Sequence, residues 1–329
     1  MLCGQIFMKP SLLLPILLAM ALLAAAIHAH AQPFPNKPIR LITPFGPGGG
    51  TDIQGRLIGK KFHESTGQTL IVDNRAGAGG MIGAELAARA PADGYTVLFT
   101  TTSLAINLSL QKKLNFDPWK TLAPLTLISS APYLVVTHPS IPVRTLSEFF
   151  ALAKKRGVSL NAASNGSGTA PHLGLEILKQ RAGIDVTQVH YKGGGPGVLA
   201  VISGEMDFQL ASALSAMPHV KSGRLRILGV TSLERSSLFP DLPTVASIYP
   251  GFANYNWYGL FLPVGVPKDI AQKLHAEFIK ALNAPEVREF LAREGATPVG
   301  NTPEEFSVFF KRESEQYARA IREGNITRE

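Results

Sequence analysis

Cysteine is all but missing from this sequence: Cys3 is the only one in 329 residues. It precedes the first apolar run, so it cannot be the lipidated cysteine of an anchored export, and nothing downstream carries a thiol. Disulfides, zinc–cysteine sites and thiol nucleophiles are thereby excluded, and a chain of this size has core enough to do without cross-links. Charge is sparse too, at 17% Asp, Glu, Lys and Arg. The basic residues are scattered apart from Lys154-Lys155-Arg156, and no basic stripe interleaved with aromatics occurs, so no nucleic-acid partner is expected. Long apolar runs are lacking save one. Leu12 to Ile27 is nearly unbroken, Lys9 is the only charge among the first thirty-one residues, and Ala29-His30-Ala31 has the small-x-small pattern of a signal peptidase site. That run is short for a membrane span and has no basic stop-transfer flank. A signal peptide over 1–31, cut after Ala31, is therefore expected. The net charge of +8 becomes +7 without Lys9, a field that favours anionic solutes.

What is present alternates. Short apolar runs and helical patterns follow one another, which reads as α/β with mostly parallel sheets. Strands are expected at Pro38 to Thr43, Thr69 to Asp73 and Gly94 to Thr100, with helices from Asp52 to Glu64 and Met81 to Ala90. A second series begins near Tyr133: Leu134 to Thr137 is a strand, and Thr145-x-x-Glu148 is a capping box opening a helix that stops at Gly157. Val158 to Ala162, Thr187 to Tyr191, Met206 to Leu210 and Leu225 to Val230 are further strands. Two sheets of four or five strands are a better division than one of nine or ten. The end is helical. Pro267 takes a first helical position ahead of Ile270, Leu274, Phe278 and Leu282, and Thr302-Pro303-Glu304-Glu305 caps a last helix with Phe306, Phe310, Tyr317 and Ile321 on one side. A helical block without strands must pack on what is already built, which sends the chain across twice, near Leu122 to Ser130 and Asn256 to Leu262. The expected division is 32–125 plus 256–329 for a discontinuous first lobe and 126–255 for the second.

The glycine-rich segments carry the chemistry. Pro44-Phe45-Gly46-Pro47-Gly48-Gly49-Gly50-Thr51-Asp52 joins a strand to a helix, gathering backbone N–H groups where the helix dipole also favours an anion. Its glycines admit close approach, and Asp52 is placed to cap or order the loop. Ser164-Asn165-Gly166-Ser167-Gly168-Thr169 and Tyr191-Lys192-Gly193-Gly194-Gly195-Pro196-Gly197 repeat the arrangement, and Thr100 to Ser103 ends a strand in four hydroxyls. Ligands of open α/β sheets sit at the carboxyl ends of strands. Two domains offering donors from that edge make a cleft suited to a carboxylate. The same residues admit other readings. A dinucleotide fingerprint would need a third glycine where Thr51 stands, although Asp73 could serve as its ribose acid. A hydrolase elbow around Ser167 would need glycines at Asn165 and Thr169. His172 and His190 show no metal spacing, and His172 is a candidate ligand contact.

At these residues the chain resembles a known family. Pro35-Asn36-Lys37-Pro38-Ile39-Arg40-Leu41-Ile42-Thr43 followed by the first glycine loop is similar to the opening of Bug-type receptors of tripartite tricarboxylate transporters. The likeness continues through Asn74-Arg75-Ala76-Gly77-Ala78-Gly79-Gly80, Pro91-Ala92-Asp93-Gly94-Tyr95-Thr96, Gly204-Glu205-Met206-Asp207, Leu242-Pro243-Thr244-Val245 and Trp257-Tyr258-Gly259-Leu260. The resemblance implies a periplasmic two-lobed Venus flytrap, with two open mostly parallel sheets flanked by helices and joined by two crossing strands. It implies a carboxylate ligand, an organic acid or acidic amino acid, gripped largely by the backbone N–H groups available in the loop of Phe45, Gly46, Pro47, Gly48, Gly49, Gly50, Thr51 and Asp52, in which Pro47 has none to give. Thr101, Thr102 and Ser103 match a second ligand-facing loop. Ser164, Gly166 and Thr169, with Lys192, Gly193 and Gly194, match the second lobe's, and Asp207 matches a recurrent acidic position. Leu199-Ala200 and Gln209-Leu210-Ala211-Ser212 depart from the family's usual Asp-Leu and Phe-Asp-Asn-like runs. The expectation is thus a monomeric receptor without catalytic residues, cofactor or metal, delivering its ligand to a membrane permease. A sensory subunit for a membrane histidine kinase is the alternative, and an exported Rossmann-type oxidoreductase or hydrolase is the third.

Overall fold

The computed structural model describes residues 34–327 except 112, 157–159, 237–238 and 294, and the side chain of Arg156. The expected signal peptide with its cut, the stop at Gly157 and the strand start at Val158 lie outside the described residues. The compact body runs from Lys37 onward.

Ten strands and eleven α-helices build that body among the described residues. The first β/α series is β1 (Ile39–Thr43), α1 (Gly50–Thr66), β2 (Leu70–Asn74), α2 (Met81–Ala88), β3 (Thr96–Thr101), α3 (Ser103–Leu110) and the short α4 (Pro118–Thr121). The sixteen-residue β4 (Leu122–Thr137) leads into the second series. That series is α5 (Leu146–Arg156), β5 (Leu160–Ser164), α6 (Ala170–Ala182), β6 (Val186–His190), α7 (Gly194–Ile202), β7 (Phe208–Ser212), α8 (Ala213–Lys221) and β8 (Arg226–Val230). β9 (Tyr255–Pro263) returns, and α9 (Lys268–Leu282), α10 (Pro285–Arg293), β10 (Thr297–Pro298) and α11 (Pro303–Glu323) close the chain.

The hydrogen-bonded strand order is β2-β1-β3-β9-β4-β7-β5-β6, with β8 and β10 also paired to β4. β1 is parallel to β2 and β3, and β5 is parallel to β6 and β7, as α-helical crossovers require. β9 runs antiparallel to both β3 and β4. The two expected sheets therefore share a strand. β4 is one continuous element where the sequence suggested a crossing segment and a separate strand. Its register shifts at Pro124/Thr126, Leu127/Ser129 and Val135/Val136 let it bend from one group of strands into the other.

The inner strands β1, β3 and β7 are buried on both faces, which is why they do not read as simple alternation. α9 lies on α1, where the Phe62 and Phe278 rings are 5.1 Å apart. α11 lies across α3 and β4, setting Phe306 and Phe310 against Trp257 and Phe261. A buried phenylalanine stabilises by roughly 1.5–3 kcal/mol, so this stripe anchors the terminal helix. Its start is fixed by a capping box: the Thr302 hydroxyl accepts the Glu305 N–H at 3.2 Å and the Glu305 carboxylate accepts the Thr302 N–H at 2.9 Å. Thr145 and Glu148 make the same exchange at 3.2 Å each. Pro267 is the N-cap of α9 and not its first helical residue, because its ψ of 141° is still extended.

Candidate functional site

Strands β1, β3, β5, β6 and β7 all end toward one cavity, and each leads directly or by a short loop into a helix. Four of those helices, α1, α3, α6 and α7, open without a side-chain cap, and three of them, from Gly49, Thr169 and Gly193, bring their cap or first residues into the cavity lining. Their first N–H groups are left to whatever occupies the space in front of them. The cavity has about 370 Å³ of atom-free space, its mouth included. Phe45, Gly49, Gly50, Thr51 and Thr101 reach it from the first series, and Asn165, Thr169, Gly194 and Ser212 from the second. Tyr133 of β4 with Asn256 and Tyr258 of β9 complete the lining. None of these residues is charged. The Thr51 hydroxyl is buried and has no hydrogen-bond partner in the structure.

Asp52 stands behind the first loop and does not line the cavity. Its carboxylate accepts the Gly48 N–H at 3.0 Å and the Arg56 guanidinium at 2.9 and 3.1 Å. Gly48 holds a φ of +74°, so this bond fixes a turn that glycine permits. Burial pulls the Asp52 carboxyl upward, but the hydrogen bonds from Arg56 and Gly48 and the Arg56 charge outweigh it and hold the group below its ordinary 3.8. Across the cavity, burial pushes the Tyr258 hydroxyl up to about 12, against hydrogen bonds to Asn256 and Ser212 that pull it down. Burial likewise raises Tyr133 well above its ordinary range. Both tyrosines are neutral hydroxyls. Gly50 is required by Tyr258, since a Cβ there would run into its ring, 2.7 Å from Cζ.

Loops of the two series meet over the cavity. The Gly46 N–H donates to the Lys192 carbonyl at 2.7 Å, and Asn107 Nδ2 donates to the Gly168 carbonyl at 2.8 Å. Beside the first cavity lies a second, of about 250 Å³, lined by Ala78, Gly79 and Gly80 and by Gly166, Ser167 and Lys192. Phe45 and Asn165 line both.

Of the residues singled out from sequence, Phe45, Gly49, Gly50, Thr51, Thr101, Thr169 and Gly194 come together at the first cavity, and Gly166 and Lys192 at the second. Gly46, Pro47, Gly48 and Gly193 shape the rims. Thr102 and Ser103 are not among the lining residues but bond ones that are: Thr102 accepts the Trp257 N–H at 3.0 Å and bonds Asn256 Oδ1, while Ser103 Oγ lies 3.0 Å from Thr101 Oγ1. Ser164 accepts the Gly166 N–H at 3.2 Å and so closes its own turn. His172 is buried and supports the loop, its Nδ1 accepting the Gly168 N–H at 3.3 Å, and it is not among the residues lining either cavity. Asp207 lies apart from both cavities. It precedes β7 at the amino edge of the sheet, where its carboxylate accepts the Asn161 N–H at 2.7 Å, far along the strand from Ser212. Asp73, the acid a ribose would need, is held by Arg40 and Arg75.

Tyr133, Asn165, Ser212, Asn256 and Tyr258 were not singled out. Asn165 and Tyr258 stood inside quoted motifs, and Ser212 ended a run flagged as atypical, but Tyr133 and Asn256 had no signal beyond their place near the crossings. No group of histidines and carboxylates able to hold a metal, and no helix long and apolar enough to cross a membrane, occurs among the described residues.

Residues 55–326 match the family model described as tripartite tricarboxylate transporter family receptor. Protein BugT of Bordetella pertussis is 35% identical over 311 residues, which cover 94% of this chain and 95% of that protein. Among solved structures, the periplasmic binding protein BugD is similar at TM-score 0.87 and 28% identity, over 90% of this chain and 100% of that one. A Rhodopseudomonas palustris protein solved with adipate is similar at 0.86 and 28%, over 89% and 99%. MatC from Rhodopseudomonas palustris, with bound malate, is similar at 0.81 and 30%, over 88% and 100%.

Proposed function

Because the chain belongs to the receptor family of tripartite tricarboxylate transporters, a family of periplasmic binding proteins, we propose that it captures a small organic carboxylate between two closing lobes. The observation that carries this reading is the convergence of three uncapped helix N-termini from both series on one cavity without a cationic side chain. Amide N–H groups and helix dipoles then supply the attraction for a carboxylate, and the unpartnered Thr51 hydroxyl supplies a further donor. The adipate and malate of two similar structures support the ligand class.

The lobes are 32–125 with 256–329, and 126–255, hinged on β4 and β9. A ligand touching both lobes stabilises the closed form by contacts the open form cannot make. The receptor acts without chemistry of its own, a reading supported by its membership of a family of periplasmic binding proteins. It is exported by cleavage after Ala31 and, as a monomer, hands its ligand to the membrane permease of such a transporter. Native mass spectrometry of the protein purified from cells, followed by a thermal-shift screen of organic acids, tests this. A bound small acid and a raised melting temperature are expected. No retained mass and no shift with any carboxylate would contradict it.

A further inference from the structure

Asn107 stands on α3 in the first series and is fully buried, although it lines neither cavity. Its Nδ2 donates to the Ser103 carbonyl one turn back on the same helix and to the Gly168 carbonyl of the second series, each at 2.8 Å. Both partners are acceptors only, so the amide nitrogen must stand on that side. The amide oxygen accepts Gln111 Nε2 at 2.8 Å. Two of these three bonds lie within the first series and hold the side chain in place whether or not Gly168 is near, which spares much of the cost of ordering it.

The partner loop is built to receive it. Gly168 has a φ of +78°, and a Cβ there would run into the Asn107 amide. Gly79 gives room from the first series, since a Cβ there would come 3.2 Å from Asn107 Nδ2. Within its own lobe the turn is held by the Gly168 N–H on His172 Nδ1 at 3.3 Å and by Thr169 Oγ1 on the Gly166 carbonyl at 2.7 Å. Neither bond engages the Gly168 oxygen. The Gly46 to Lys192 bond between the loops is backbone on both sides, whereas here a side chain decides whether the contact forms. Gly79, Gly166 and Ser167 also line the second cavity, so this contact forms at its edge, and a ligand too long for that space would keep the turn away from α3.

We propose that Asn107 is a clasp between the lobes: a positioning residue that bonds the Gly166–Thr169 turn only when the lobes are fully closed, and so favours acids short enough to let them close. This rests on the closing carboxylate receptor put forward above and adds a limit on ligand length. Without the donor, the Gly168 carbonyl is buried and unpaired in the closed form but hydrated in the open one, so the cost falls on closure alone.

Calorimetry and stopped-flow fluorescence on the purified mature chain test it, with straight-chain acids from acetate to octanoate and from malonate to suberate as probes. In the wild type, affinity should peak at a short acid and fall beyond it. Asn107→Ala should weaken that acid about tenfold or more, through faster dissociation at nearly unchanged association, because the clasp forms after encounter. The longest acid that still binds should change by less than about twofold, which flattens the profile. Asn107→Asp has nearly the same shape but cannot donate, and should act alike where the alanine variant does not fold. A merely structural role would lower the fraction of protein that binds, or weaken all acids equally, with the profile unmoved. Short acids held as tightly by both variants as by the wild type overturn the proposal, as does an equal loss at every length. Small-angle scattering of the wild type decides without any variant: the peak acid should compact the protein more than the longest one, and equal compaction overturns the clasp. Should no acid bind the wild type, it is the carboxylate reading that fails, and the clasp falls with it.

Discussion

At the scale of single residues, the site depends on side chains that hold backbone in place. Asp52 is the clearest case, because it never faces the cavity and yet fixes Gly48 in a left-handed turn. Asp52→Ala should weaken ligand binding by roughly tenfold or more, the loss of about one charge-assisted hydrogen bond, measured by calorimetry. The same group carries a pH signature. Its folded pKa lies below the ordinary 3.8, so its contribution to stability is whole above that value and is lost as pH falls through the lower folded pKa. Urea unfolding should therefore separate wild type from Asp52→Asn near neutral pH, with the gap narrowing only as pH falls below the ordinary 3.8. Glycine and proline made the loops around these residues legible, since such punctuation has a backbone reason that sequence displays. Tyr133 and Tyr258 were not legible. They sit in apolar strands like any core aromatic, and only the pairing of Tyr133 with Ser212 and of Tyr258 with Thr101 turns them into lining.

At the scale of elements, small errors in boundaries had large effects on the reading of the site. The strand expected at Met206 to Leu210 is found at Phe208–Ser212. That shift of two residues carries Ser212 to the carboxyl edge, where ligands bind, and leaves Asp207 at the opposite edge. Helix ends were read more surely, because capping boxes are short-range chemistry. Thr302→Ala should cost about 1 kcal/mol, seen as a lower urea midpoint at unchanged slope, with ligand affinity retained because α11 opens away from the cavity. Unchanged stability would mean that the Phe306 and Phe310 stripe alone fixes the start of that helix.

At the scale of the whole molecule, β/α alternation gave the layered architecture, and the helical tail implied two crossings of the chain. The continuity of β4 was hidden, because prolines at 124 and 132 read as interruptions while the strand accommodates them. Glycines also govern how closely the loops over the cavity approach. Gly195 opens the helix α7, where alanine is at least as favourable, but a Cβ there would meet the backbone of the first loop, 2.8 Å from the Gly48 carbonyl carbon. Gly195→Ala should leave the ligand-free melting temperature unchanged or slightly raised, while lowering affinity by about tenfold and reducing the ligand-induced compaction seen by small-angle scattering. Equal compaction in the variant would show that these loops need not meet. The most direct measurement is a crystal structure with the tightest-binding organic acid from the thermal-shift screen. The account predicts carboxylate oxygens within hydrogen-bond distance of the Gly50 and Thr51 N–H groups at the start of α1, with Gly194 across from them. A ligand seated outside this cavity, or one whose carboxylate is paired with a lysine or arginine while those amides bond elsewhere, would contradict it.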